Sequence, residues 1–402
     1  MAFDKTGFSS EDLRGLSRLG FTAAVGLTDL VEQMHHTILR APLPLGAPIE
    51  GPARGLTGFV YRCIRGVMRA AGGGVDAALS LLGGSSPPDS SRARDVALAV
   101  LNGVVGDHLQ ETNNPLALEM QLRRDGRALP LDRASLARDL PQATGRLLVL
   151  VHGLCMSDWQ WTRDGHDHGA ALGDDHGFTP IYLFYNSGRH ISENGRGLAE
   201  LLERLVASWP VAIEDFVILG HSMGGLLARS ALRHGGEHGH EWPRRLRKLV
   251  FLGTPHHGAP LEKIGSWVDL AVGKTPYTAA FRRLGKIRSA GVTDLRDGAL
   301  TDADWRGRDR FARRSDPPSA VPLPPGLACY AVAGSLAMDG GLRDSTLGDG
   351  LVPVASALGH SDDPARTLDI PPDRKAILRG VGHLDLLGSQ AAYEKIRDWL
   401  AP

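Results

Sequence analysis

From residue 146 onward, short and nearly unbroken apolar runs alternate with stretches whose apolar residues return every three or four positions. The runs are "RLLVLV" (146–151), "PIYLFY" (180–185), "DFVIL" (215–219), "KLVFL" (248–252), "LACYAVA" (327–333) and "KAILRGV" (375–381). Between them, "NGRGLAELLERLVASW" has the spacing of an amphipathic helix. Successive side chains of a strand point to opposite faces, so an unbroken apolar run marks a strand covered on both sides. Strands and helices in alternation predict an α/β domain with a mostly parallel central sheet and helices on both faces. Ahead of it, "LALEMQL", "RRDG" and "RALPL" predict a β-hairpin.

The first 110 or so residues carry a different texture. Leu13, Leu16, Leu19, Leu27, Leu30, Met34 and Ile38 recur at helical spacing, as do Val60, Ile64, Val67, Ala71 and Val75, with Pro/Gly/Ser-rich breaks between. We expect an N-terminal helical region, 1–112, packing on or covering a catalytic domain, 113–402. Within that domain, 258–326 contains no strand candidate, and an insertion of this length at the carboxyl end of a sheet predicts a cap or lid.

Composition narrows the function. Of 402 residues, 42% are hydrophobic and 22% charged, as in a globular protein with a substantial core. Lys+Arg and Asp+Glu both number 45, so there is no electrostatic footprint for nucleic acid. Cys63, Cys155 and Cys329 form neither a zinc framework nor a disulfide scaffold. The N-terminus has no continuous apolar stretch, and no run reaches the roughly 18 residues a spanning helix needs. The expectation is a cytoplasmic protein with a possible peripheral contact to lipid; the sequence leaves its oligomeric state open.

In open parallel sheets, ligands bind beyond the carboxyl ends of the strands, so the chemistry is sought just after each run. After "DFVIL" comes "GHSMGGLLARS", with Ser222 between Gly220 and Gly224. A strand, a tight turn and a helix in this order form a nucleophile elbow, in which the serine oxygen projects above the sheet edge. The Met223 N–H points into the same space, and the helix N-terminus adds partial positive charge there. A serine hydroxyl needs a base held by a third group. His383 follows the last run, as base and then acid, and Asp349, in "LGDGLVP", is the group to orient it. Asp339, Asp344 and Asp385 are rivals for the acid; Asp385 lies only two residues from the histidine. "VHGL" supplies Leu154 N–H as the second oxyanion donor. Trp159, Trp161, His221 and His257 are candidates for the substrate wall, and Cys155 is read as packing rather than as a second nucleophile.

"VHGL", "GHSMGG", "LGTPHHG", "GDGLVP" and "GHLD", in this order, resemble the α/β-hydrolase superfamily, and within it bacterial lipases and esterases. "YNSGRHISENGRGLAELL" looks like the corresponding segment of proteins similar to GPI-inositol deacylases. The resemblance covers roughly 146–400. It implies an α/β-hydrolase fold, a Ser222–Asp349–His383 triad with Leu154 and Met223 as oxyanion donors, and no cofactor. Some bacterial lipases hold a structural calcium partly through the aspartate of "HLD", which here is Asp385. The expected activity is hydrolysis of small-molecule or lipid carboxylic esters with a hydrophobic acyl portion, with aliphatic polyesters as an extension. The alternatives are an acyltransferase or thioesterase with the same triad, or a non-catalytic binding protein on a hydrolase scaffold.

Overall fold

The computed structural model describes residues 14–15, 17–19, 92–259, 289–310, 312, 314–338 and 348–402. By contacts the chain divides into two units, 1–91 with 111–117, and 92–110 with 118–402. In the first unit, residues 14–15 and 17–19 are helical, and Asn114 donates from Nδ2 to the Gly15 carbonyl at 3.0 Å. The rest of the helices expected before residue 91 lie outside the described residues.

The second unit is built on one eight-stranded sheet. Its strands are β1 (Gln121–Arg124), β2 (Arg127–Ala128), β3 (Arg146–Val151), β4 (Thr179–Phe184), β5 (Asp215–His221), β6 (Leu246–Leu252), β7 (Ala328–Ser335) and β8 (Lys375–Arg379). Their order is β2-β1-β4-β3-β5-β6-β7-β8. β1 runs antiparallel to both neighbours, and β3 to β8 are parallel throughout. Its longer helices are α1 (Arg92–Glu111), α2 (Arg133–Asp139), α3 (His168–His176), α4 (Ile191–Ser208), α5 (Met223–Glu237), α6 (Ala290–Asp297) and α7 (Gln390–Leu400).

Strand alternation explains the unbroken apolar runs. Leu147, Val149, Phe216, Ile218, Leu249 and Phe251 pack with Leu198, Leu202 and Leu205 of α4 and Leu226 of α5. The intervening Leu148, Leu150, Val217, Leu219 and Val250 pack on the other face with Leu172 of α3 and Ile396 and Leu400 of α7. Each central strand is therefore buried twice, as its composition requires.

The hairpin is present but begins later than expected. Leu118 N–H is drawn to Asn102 Oδ1 on α1 at 2.9 Å, and the ladder starts only at Gln121. Asp125 and Gly126 turn the chain with φ of 52° and 73°, the left-handed pair that a two-residue hairpin wants. α1 falls in the second unit, whereas the expected division lay after it, at 112/113. Its apolar residues do not gather into one stripe. It buries Leu98, Val100 and Leu109 together with Gly103, Gly106 and Asn102, a mixed face that periodicity alone does not reveal. Of the expected cap, 260–288 lies outside the described residues. The described remainder contains α6, which Asp294 joins to the start of α4 by accepting Ile191 N–H at 2.8 Å and contacting His190 Nδ1 at 3.0 Å. The His190 ring stacks on Trp305 at 3.7 Å. Among the described residues, no helix is long and apolar enough to cross a membrane.

Truncating a side chain locked between α4 and the sheet leaves a cavity. We expect Leu202→Ala, at a fully buried position, to lower unfolding free energy by about 2–5 kcal/mol. Val211→Ala, at a position 41% exposed, should stay within about 0.5 kcal/mol. Urea unfolding monitored by circular dichroism measures both, and equal losses would contradict this assignment of the core.

Candidate active site

β5 ends at His221 and α5 begins at Met223, leaving Ser222 alone at the bend with φ 56° and ψ −126°. A non-glycine residue holds this conformation only where its surroundings impose it. They do so through close backbone approach. A Cβ on Gly220 would lie 2.7 Å from Gly225 Cα, and one on Gly224 would lie 2.1 Å from the Val151 carbonyl oxygen. Ser222 N–H donates to the Leu252 carbonyl at 2.9 Å, fixing the bend to the end of β6. Its Oγ makes no hydrogen bond among the described residues.

The acid and base arrive from the next two strands. His383 Nδ1 lies 2.7 Å from Asp349 Oδ2, and His383 N–H donates to the Asp349 carbonyl at 3.0 Å. Asp349 Oδ1 accepts the N–H groups of Leu351 (3.0 Å) and Val352 (2.8 Å), so both carboxylate oxygens are held. This arrangement keeps the Asp349 charge aimed at Nδ1 and leaves Nε2 on the opposite side of the ring. The loop after β6 is close to both groups: a Cβ on Gly253 would be 3.3 Å from Asp349 Oδ2 and 3.3 Å from His383 Cε1. On the other flank, a Cβ on Gly153 would be 3.3 Å from Ser222 Oγ. The ends of β3, β5, β6, β7 and β8 thus converge on one rim. The serine–imidazole hydrogen bond is not closed here; in unliganded sites such bonds are often long and tighten when substrate binds. Ser222, Asp349 and His383 are each no more than 3% exposed.

The two N–H groups expected as oxyanion donors belong to Met223 and Leu154. Met223 is the first residue of α5, so its N–H has no intrahelical acceptor, and it points where the helix dipole favours negative charge. Leu154 follows Gly153 in a turn whose next residue, Cys155, has φ 58°. Cys155 N–H donates to Ser187 Oγ at 3.0 Å, which fixes the loop from behind. Ser187 is a contributor that sequence reasoning missed; its only signal was a place just after β4. Cys155 itself is fully buried, and burial pushes its thiol up to about 12, so it is no thiolate nucleophile at neutral pH.

The four candidates for the substrate wall separate. His221 lies behind the base: its Nε2 is 3.1 Å from the His383 carbonyl, the two rings are 4.8 Å apart, and it is fully buried. Burial, followed by the neighbouring His383, drives its pKa well below the ordinary imidazole range. A neutral ring then donates from Nε2 and positions the loop of His383. Trp161 packs edge-on to His221 at 6.3 Å and is also fully buried. Trp159 goes elsewhere. Its indole donates to Asp95 at 3.0 Å and lies over Gly126 of the hairpin turn, level with the start of β4 rather than with the catalytic rim. His257 accompanies His256 on the far side of the β6 loop, where its N–H donates to Ser356 Oγ at 3.1 Å. Neither Trp159 nor His257 is brought to the serine.

Asp385 pairs through Oδ1 with Arg163 at 3.0 Å, and Oδ2 accepts Gly382 N–H at 3.3 Å. Calcium takes six to eight oxygens with several carboxylates. Among the described residues no group of three or more His, Cys, Asp or Glu could hold a metal ion. Asp339 and Asp344 lie outside the described residues.

Residues 142–321 match the family model of the PGAP1-like alpha/beta domain. A search of curated proteins gives no match. Among solved structures, the chain is similar to a Bacillus licheniformis lipase in mature form: 18% identity, TM-score 0.42, covering 64% of this chain and 92% of that one. It is also similar to a Pyrococcus furiosus esterase (13%, TM-score 0.36, 64% and 80%) and to human thioesterase 2 (15%, TM-score 0.34, 64% and 94%). The strand order and the elbow between β5 and α5 give the second unit the architecture of an α/β-hydrolase fold.

Burial holds His152 and His168 down to about 4. Unfolding restores the ordinary value near 6.5, so between those values the unfolded chain binds more protons than the folded one. Stability should therefore fall as pH drops from about 6.5 to about 4. Melting temperatures across that range measure it; a flat profile would show that these rings take up protons without unfolding.

Proposed function

We propose that this chain is a serine hydrolase of carboxylic esters, with Ser222 as nucleophile, His383 as general base and acid, and Asp349 as the group that orients the imidazole. The observation that carries the reading is the strained Ser222 standing at the same rim as a buried imidazole–carboxylate pair. Ser222 Oγ attacks the ester carbonyl while His383 Nε2 takes its proton. The resulting oxyanion is received by the Leu154 and Met223 N–H groups, and Asp349 stabilises the imidazolium. Collapse of the tetrahedral species breaks the ester C–O bond, and His383 protonates the departing alcohol. Water then attacks the acyl-enzyme with His383 again taking a proton, and the acid leaves as Ser222 regains its hydrogen.

An apolar rim favours esters with a hydrophobic portion. Leu336 is 50% and Met338 73% exposed. Leu336 packs toward Gly350 and Gly382, and Met338 toward Gly380, in the loops that carry Asp349 and His383. Lipid esters suit this rim. A long polymer chain is the less favoured substrate, because the serine is fully covered.

Ser222→Ala should lower p-nitrophenyl butyrate turnover by about 10⁴–10⁶-fold with an unchanged circular dichroism spectrum, and Asp349→Asn by about 10⁴-fold. A fluorophosphonate should add to Ser222 alone. Undiminished turnover by Ser222→Ala would end the proposal. Added alcohol competing with water as acyl acceptor separates a hydrolase from an acyltransferase.

A further inference from the structure

On the α5 side of the sheet, a cavity of about 90 Å³ is bounded by α5, the loop after β6, and the segments 319–323 and 365–369. Its lining includes Arg229, His256, His257, Ser319, Arg366 and Thr367. Arg229 lies seven residues along α5 from Ser222, about 10 Å down the helix axis, and Ser222 is not among the lining residues.

Arg229 is 5% exposed, yet among the described residues it meets no carboxylate. Its guanidinium donates to the Val321 carbonyl at 2.5 Å and lies 3.2 Å from His256 Nδ1. Among the described residues its Nε has no acceptor. Burial pulls its pKa only to about 10, so it stays charged at neutral pH. The arginine contact makes His256 Nδ1 an acceptor, which puts the ring proton on Nε2. That Nε2 is a second buried donor with no acceptor, on a side chain 2% exposed. The Phe251 ring meets His256 edge-on at 4.5 Å and restrains it. Arg366 adds a further positive charge from another segment, while Asp369, also in the lining, is exposed.

A buried guanidinium without a counter-ion is costly, and two buried donors without acceptors add to the cost. We propose that this cavity binds a phosphate-type oxyanion, either inorganic phosphate or the terminal phosphate of a monoester. The donors come from three separate segments, which suits a tetrahedral anion better than a planar carboxylate, and arginine recognises phosphate with directed N–H groups. The small volume fits the anionic group alone. Bound there, the anion joins the nucleophile helix to the insertion segment at Val321. This proposal is independent of the ester hydrolase reading.

The test is the melting temperature of the full chain, with titration calorimetry, in sodium phosphate and in sodium chloride of equal ionic strength, with glycerol 3-phosphate as a parallel arm. A saturable rise of about 3 °C or more with phosphate over chloride is expected. Arg366→Ala, at a half-exposed position, should keep the native melting temperature in chloride and weaken phosphate at least tenfold. Arg229→Met, where it folds, should abolish the response. Binding of glycerol 3-phosphate but not inorganic phosphate supports the site with a monoester as its ligand. Identical behaviour in phosphate, glycerol 3-phosphate and chloride, or an Arg366→Ala chain that binds phosphate as tightly as the parent, would overturn the proposal and leave a water-filled cavity.

Discussion

The structure depends on the approach of one helix to two strands. α5 can start immediately after β5 only because Gly220 and Gly224 leave no Cβ between the elbow, the following turn and the end of β3. That contact fixes Ser222 at positive φ and ties it to the end of β6. The oxygen is thereby set above the sheet, and the first N–H groups of α5 face the same space. The parallel register then does the rest. Strands that share a direction bring their following loops to one edge, and Asp349 and His383 reach that edge from β7 and β8.

Burial on both faces is what made the sheet readable in the sequence. Strands flanked by two helix layers have no polar face, so "RLLVLV" and "DFVIL" announce themselves, and β3 occupies its predicted residues without a shift. The elbow was legible because its geometry demands small residues at fixed positions. The places of Asp349 and His383 followed from chain order and loop position. Composition could not convey where lone side chains would be drawn. Trp159 goes to Asp95, a partner 64 positions away, and His221 turns inward beneath the base instead of outward to a substrate. The start of the hairpin was shifted by a side chain of α1, which no pattern within the hairpin could announce.

The portion matched by the family model, 142–321, contains Ser222 and the loops of Leu154 and Met223. Asp349 and His383 lie beyond it, and backbone N–H groups of Leu351, Val352 and His383 donate to Asp349.

The turn at Cys155 resembles a latch under tension. A cysteine in the left-handed conformation stores backbone strain, and what presses against it is α1, at a point where only hydrogen stands between them: a Cβ on Gly103 would fall 2.8 Å from Cys155 Cα. Ser289 clasps the same spot, its hydroxyl donating to the Gly103 carbonyl at 2.6 Å. The shape of the turn after β3 is therefore a mechanical property borrowed from a helix encoded before the sheet begins, and a change in α1 would be felt there.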